Sequence, residues 1–306
     1  MGHMRIGGYQ GPKSILTAGL NRFVAELHQA LGNDLQVDRI DDVTATGMSA
    51  KDLFAGIESG SFHIGYMASG YLTARVPELA VIDLPFSQSD RHAAYAALDG
   101  KAGAILRAAI HRETGYRLFG FWDNGFRHLT NHARPLRTCD DCAGLVVRTL
   151  DNRIYQETMA AMGFTPVVTD VRELRDAVMS GRVDAQENPL TNSVVFELYQ
   201  KHRHLSMTGH FFGAVLLLCN ADWFNSLPIS TQAALETAAD LATTEQRRLA
   251  EAQDSDALAV LQAQGVQILT QSELDMAGFR AACAPIVARE RAMLDPTLVA
   301  SYLSGG

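Results

Sequence analysis

Residues 230–264 contain neither glycine nor proline. Nothing in such a run breaks a helix. Pro228 precedes it and Gly265 follows it, the usual asymmetry of helix starts and stops. Ala234, Ala238, Leu241, Leu249, Ala252 and Leu258 supply a sparse apolar stripe at helical spacing. At about 1.5 Å per residue, some 30 residues of helix span roughly 45 Å. That is wider than a small domain, so the helix is expected to bridge two lobes. The 306 residues suffice for one large domain or two modest ones.

Upstream, strand-like and helix-like segments alternate. Residues 5–7 start a strand. Leu16, Leu20, Phe23, Leu27 and Leu31 then recur on one helical face, ended by Gly32. Strands are predicted at 35–40, 62–67, 117–122, 127–130, 145–148 and 165–168. Helices are predicted at 51–59, 91–114, 153–162 and 171–180. Residues 214–220 are almost continuously apolar, as in a strand buried on both faces. This order predicts an α/β fold with a mainly parallel sheet.

Composition removes several function classes. The apolar share is 47%, the charged share 20% and the net charge −8. With no basic stripe, nucleic acid and anionic membrane surfaces are not expected partners. The longest apolar run, 211–219, is far short of the roughly 20 residues a spanning helix needs. The start Met1-Gly2-His3-Met4 reads as a vector scar standing where a signal peptide was removed; a cytosolic start is the alternative. Nothing marks a dimer seam, so a monomer is expected.

The chain carries four cysteines. Cys139 and Cys142 form C-x-x-C in a polar, Asp-flanked stretch read as a loop. The pair is compatible with a redox site, half a zinc site, a local disulfide or free thiols. No second pair completes a zinc site. Cys219 and Cys283 lie on apolar stretches, as buried small hydrophobes do. No H-E-x-x-H or G-x-S-x-G occurs, and His128, His202, His204 and His210 read as surface or pocket-wall residues. No cofactor is expected, and the chain is not expected to be an enzyme.

Three stretches suit an anion. In 7–14 (GGYQGPKS) a strand end turns into a helix, placing Tyr9 and Gln10 to line a site; the spacing does not match a phosphate loop. Arg127 lies between apolar neighbours, and Arg148 stands at a strand end. A buried arginine must find a negative partner, and its planar fork takes a carboxylate with two parallel bonds. An internal salt bridge answers the same need. In 184–192, Gln186 and Asn188 can donate to a carboxylate oxygen.

Several segments then occur in a familiar order: LFAGIESGSFHIGYM (53–67), PELAVIDLPF (77–86), NGFRHLTNHARPL (124–136), GLVVRT (144–149), MGFTPV (162–167), ELRDAVMSGRVDAQENP (173–189) and LPISTQAAL (227–235). Together they resemble the extracytoplasmic solute-binding proteins of TRAP (tripartite, ATP-independent periplasmic) transporters, the DctP-type family 7. The resemblance implies a two-lobe periplasmic-binding-protein-like fold with a long bridging helix. It implies lobe I from 1–124 and 213–252, and lobe II from 125–212 and 253–306, with the ligand cleft between them. Arg148 matches the arginine that clamps the ligand carboxylate, Arg127 a second pocket arginine, and Asn188 an amide on the same group. Tyr9 falls where the first strand meets the ligand, Val171 at a wall position aromatic in sialic-acid binders, and Phe211 and Phe212 on a re-entering stretch.

The implied function is periplasmic capture of a small organic anion by hinge closure and its delivery to TRAP membrane subunits. Where some relatives carry a Trp-Glu metal pair, this chain has Phe211-Phe212-Gly213-Ala214, so no metal is expected. Tyr9, Val171, Phe211, Phe212 and Trp122 make an apolar wall, pointing to an apolar or aromatic monocarboxylate. A sugar acid or a dicarboxylate is the alternative ligand. A redox enzyme using Cys139 and Cys142, or the binding protein of an ATP-driven importer, is the alternative class.

Overall fold

The computed structural model describes residues 3–32 and 35–304. Met1 and Gly2 of the vector-like start lie outside the described residues. In chain order the elements are β1 (Met4–Gly7), α1 (Ile15–Leu31), β2 (Val37–Ile40), α2 (Ala50–Ser59), β3 (Ile64–Ala68), α3 (Arg91–Asp99) and α4 (Lys101–Glu113). Next come β4 (Tyr116–Asn131), α5 (Cys139–Cys142), β5 (Val146–Thr149), α6 (Arg153–Ala161), β6 (Thr165–Val168), α7 (Val171–Met179), β7 (Ala185–Pro189) and α8 (Leu190–Val195). The last third holds β8 (His204–Asn220), α9 (Ala221–Ser226), α10 (Ile229–Ala263), β9 (Gln267–Leu269), α11 (Met276–Met293) and α12 (Pro296–Leu303). The α/β class and the long helix expected from the sequence are both present.

The chain forms two compact units. Unit 1 takes residues 1–68, 105–124 and 214–252; unit 2 takes 69–104, 125–213 and 253–306. Strands β4 and β8 and helices α4 and α10 each pass from one unit to the other. Residues 69–104, placed in lobe I by the sequence division, fall in unit 2. The reason is local: Asp83 is held by Asn152, and Gln88 Nε2 donates to the Tyr302 carbonyl at 2.7 Å.

In unit 1, β1 pairs in parallel with β2 and β3, and β3 pairs antiparallel with residues 215–219 of β8. Val215, Leu216, Leu217, Leu218 and Cys219 are fully buried, which explains why that stretch carries no polar alternation. Ser14 caps α1, and Leu16, Leu20, Phe23 and Leu27 turn its apolar face inward. The buried seam of α10 here is Leu235, Ala238, Ala239, Ala242, Gln246 and Ala250, while Leu241 of the expected stripe is exposed. Gln246 can be buried because its amide both donates to and accepts from the Asp123 backbone, at 2.6 and 2.8 Å.

In unit 2, β7 lies between β4 and β5: residues 127–131 run antiparallel to it and β5 runs parallel, with β6 beyond β5. Leu129, Val147, Tyr155, Met159, Phe211, Phe279 and Cys283 build the core beneath. Two sequence expectations shift. The single helix expected over 91–114 is broken at Gly100 into α3 and α4. The two strands expected at 117–122 and 127–130 are one strand, β4, which passes through Gly125 at φ 86°, a conformation that favours glycine.

Candidate functional site

The C-terminal half of β5 lies beside the start of β7 in unit 2, with Arg148 in register with Gln186. Arg148 is almost completely buried. Its Nε and Nη2 both donate to the Thr169 carbonyl, at 2.9 and 2.7 Å. Among the described residues no carboxylate comes within ion-pair range of it. Burial pulls its pKa down, and the nearby Tyr71 and Glu187 push it back up. A guanidinium stays protonated regardless, so this is a buried cation seated by a backbone carbonyl and not neutralised.

Arg127, on β4, is different. Its Nε and Nη2 reach both carboxylate oxygens of Glu187, and Nη2 also donates to the Glu187 carbonyl at 2.7 Å and to Asn188 Oδ1 at 3.1 Å. Burial alone would raise the Glu187 pKa; the Arg127 charge and His210 outweigh it and hold Glu187 at about 2. Thr149 adds a hydroxyl donor to Glu187 at 3.0 Å. His210 Nε2 lies 3.7 Å from the same carboxylate. The Tyr155 ring lies 5.6 Å from the Arg127 guanidinium and stacks on Phe211 at 4.0 Å.

A second buried carboxyl, Asp83, accepts from Thr73 at 2.6 Å and from Asn152 at 2.7 Å. Burial raises it to about 6 against these donors. Asn152 also caps α6 through its carbonyl oxygen, so one side chain fixes the helix start and the Asp83 segment together.

The family model for the bacterial extracellular solute-binding proteins, family 7, matches residues 6–292. The chain belongs to that family. This solute-binding protein is 29% identical to a solute-binding protein of Verminephrobacter eiseniae, over 94% of this chain and 84% of the relative. It is 26% identical to the 2,3-diketo-L-gulonate-binding periplasmic protein of Escherichia coli, over 76% of this chain and 70% of that one. A TRAP periplasmic solute-binding protein of Bordetella bronchispeptica, with bound density interpreted as pantoate, superposes with a TM-score of 0.92 at 27% identity over all of both chains. Proteins of this kind hold solutes for transport and do not transform them, so the chain is a binding protein and not an enzyme.

The expected site residues divide between the units. Arg148, Arg127, Asn188, Gln186, Val171, Phe211 and Phe212 belong to unit 2; Tyr9, Gln10 and Trp122 belong to unit 1. Arg127, Glu187, Asn188 and Gln186 form one hydrogen-bonded group, with Asn188 Nδ2 donating to Gln186 Oε1 at 2.5 Å. Val171 is half-buried at the first position of α7. Phe211 packs in the unit 2 core, and Phe212 packs edge-on against Phe126 and Tyr95. Trp122 is fully buried and donates its Nε1–H to Thr243 at 3.1 Å. Gln10 accepts from Ser14 at 2.6 Å, and the Tyr9 hydroxyl accepts from the Ala68 amide at 3.2 Å.

Of the histidines expected at the surface or a pocket wall, His128 is buried but lines a cavity beside Phe126, Leu190 and Met207, while His202 and His210 are core residues. Each Nδ1 has a partner, from the Gly209 amide, Thr130 and Thr208 respectively, which makes burial tolerable. The Cys139/Cys142 stretch is a helical turn capped by Thr138, not a loop, and the cysteines are free. Sequence reasoning passed over Glu187, Asp83, Tyr155 and Asn152. Glu187 and Asp83 stand inside the quoted QENP and DLPF motifs, which was the available signal. Among the described residues no helix is long and apolar enough to cross a membrane.

Proposed function

We propose that this protein captures a small organic monocarboxylate on Arg148 in the periplasm and hands it to the membrane subunits of a TRAP transporter. The observation that carries the reading is a buried arginine without a carboxylate of its own. An uncompensated buried charge is costly, and an incoming carboxylate relieves that cost with charge-assisted bonds. Asn188 supplies an amide on the same carboxylate, and Arg127 supports Asn188 from its ion pair with Glu187.

Charge decides the class of acid. Among the described residues Arg127 and Arg148 are the buried cations, and Arg127 is already matched by Glu187. That leaves one clamp for one carboxylate, which favours a monoanion over a dicarboxylate. The apolar tail expected from the sequence leaned partly on Phe211, Phe212 and Trp122. Those rings are engaged in packing within their own units, so the case for an apolar wall weakens. Pantoate and 2,3-diketo-L-gulonate, the acids named for two relatives, are monocarboxylates bearing hydroxyl groups. A hydroxylated monocarboxylate is therefore the ligand class we assign.

A thermal-shift panel of pantoate, erythronate, benzoate and succinate tests this. A ligand at 100 times its dissociation constant adds about 2.7 kcal/mol to stability. Pantoate or erythronate should raise the midpoint. Stabilisation by benzoate alone or by succinate alone overturns the assignment.

A further inference from the structure

The neighbours of Asn188 determine which way its amide points. A guanidinium has only hydrogens to give. The Asn188 atom 3.1 Å from Arg127 Nη2 is therefore Oδ1, which also accepts from Asn192 Nδ2 at 3.2 Å. That turns Asn188 Nδ2 toward Gln186, where Oε1 accepts at 2.5 Å. Gln186 Nε2 must then face Thr130, donating to Oγ1 at 2.6 Å. Among the described residues the Thr130 hydroxyl proton has one acceptor in range, His202 Nδ1 at 3.0 Å, and we assign it there.

His202 is thereby assigned the tautomer protonated on Nε2. That Nε2 has no acceptor among the described residues, which is the cost of the arrangement. Burial, aided by the His132 and Lys201 charges, keeps the ring neutral by lowering its pKa to about 3. Thr130, Gln186, Asn188 and His202 are all buried, so water does not compete for these bonds. The chain is fixed at one end by a group that can only donate, and at the other it requires a His202 Nδ1 that accepts.

We infer that Thr130 and His202 are positioning residues that hold the Asn188 amide in one orientation and so raise affinity for a carboxylate placed beside it. The inference rests on the proposed role of Asn188 as a ligand contact. Neither Thr130 nor His202 is assigned any contact with the acid. They act through Gln186, whose amide could otherwise turn over at little steric cost and set its NH2 against the Asn188 NH2, leaving Asn188 without its acceptor. A buried hydrogen bond lost at this point corresponds to about a tenfold change in affinity.

The test has two arms. Long-range proton–nitrogen NMR of histidine-labelled unliganded protein reads the His202 tautomer directly. The Nε2–H form is expected, and the Nδ1–H form overturns the chain. The second arm titrates pantoate and erythronate calorimetrically into wild type, Thr130→Val and Thr130→Ser. Thr130→Val should bind about tenfold more weakly and also lower the unliganded melting midpoint, because Gln186 Nε2 and His202 Nδ1 lose a buried partner, and Thr130→Ser should recover most of both losses by restoring the hydroxyl. Equal affinity in Thr130→Val, or no rescue by serine, overturns the positioning role. If neither acid binds wild type, the ligand assignment fails, and the tautomer together with the Asn188 side-chain amide shift in Thr130→Val still decides the chain. A shifted Asn188 signal supports it, and an unmoved one contradicts it.

Discussion

Arg127 and Glu187 share a buried, forked ion pair: two guanidinium nitrogens meet both carboxylate oxygens, with neither side chain reaching solvent. Removing one partner leaves the other as an uncompensated buried charge, a loss of about 3–5 kcal/mol. Glu187→Gln should therefore destabilise the unliganded protein by that order in urea unfolding. Arg127→Met combined with Glu187→Gln should recover part of the loss. A double variant that loses the sum of the two single losses would show that the two residues are not coupled.

Stability should fall on mild acidification. His128 and His202 are each held down to about 3 in the folded chain, chiefly by burial, against an ordinary value of 6.5. Below 6.5 the unfolded chain takes up these protons and the folded one does not, so stability is lost as pH falls toward 3. Asp83, raised to about 6 from 3.8 by burial, acts with the opposite sign between those values. These two histidines, joined by His210 and His63, which burial lowers in the same direction, outweigh the one carboxyl, so stability rises with pH around pH 5 to 6. Urea unfolding across that range should show stability rising with pH. A flat or inverted profile contradicts the burial of these rings.

The contrast between the two arginines also shows how far a sequence could be read. Local signals marked both positions, and periodicity placed each on a strand. Which one is neutralised depends on Glu187, 60 residues from Arg127 and brought beside it by the antiparallel pairing of β4 with β7. That pairing was hidden because β7, Ala-Gln-Glu-Asn-Pro, is polar yet wholly buried and shows no alternation. His202 and His210 were misplaced for a related reason: what permits their burial is a specific partner, Thr130 or Thr208, and composition does not reveal one. The long helix was legible because a run free of glycine and proline depends on local chemistry alone. Its buried face was off by about one position, since alanines and Gln246 pack where leucines were expected.

Phe211 and Val171 separate packing from ligand choice. Phe211 lies nearly parallel to Tyr155, with 4.0 Å between ring centroids, and is 1% exposed. Phe211→Ala should cost about 3–5 kcal/mol of stability with or without ligand. Val171→Ala, at a half-buried position, should stay within about 0.5 kcal/mol in the unliganded protein. A large stability loss from Val171→Ala, or a negligible one from Phe211→Ala, would reverse these roles.

The cysteines should behave as unreactive thiols. Burial pushes the Cys142 thiol well above its usual range and Cys283 up to about 12; Cys139, half-buried, is raised by burial and by Asp275 and Asp140. A protonated thiol is a poor nucleophile. Mass spectrometry after brief iodoacetamide treatment near neutral pH should find Cys142, Cys219 and Cys283 unmodified and Cys139 labelled slowly. Rapid labelling of Cys142 in the native protein contradicts its burial.

The central claim is that Arg148 is the carboxylate anchor. Calorimetric titration of pantoate into wild type, Arg148→Lys and Arg148→Ala tests it most directly. A charge-assisted forked contact is worth several kcal/mol, at least tens-fold in affinity. Arg148→Ala should abolish measurable binding, and Arg148→Lys should weaken it, because an ammonium cannot reproduce the planar fork. Wild-type affinity in Arg148→Ala would contradict the account.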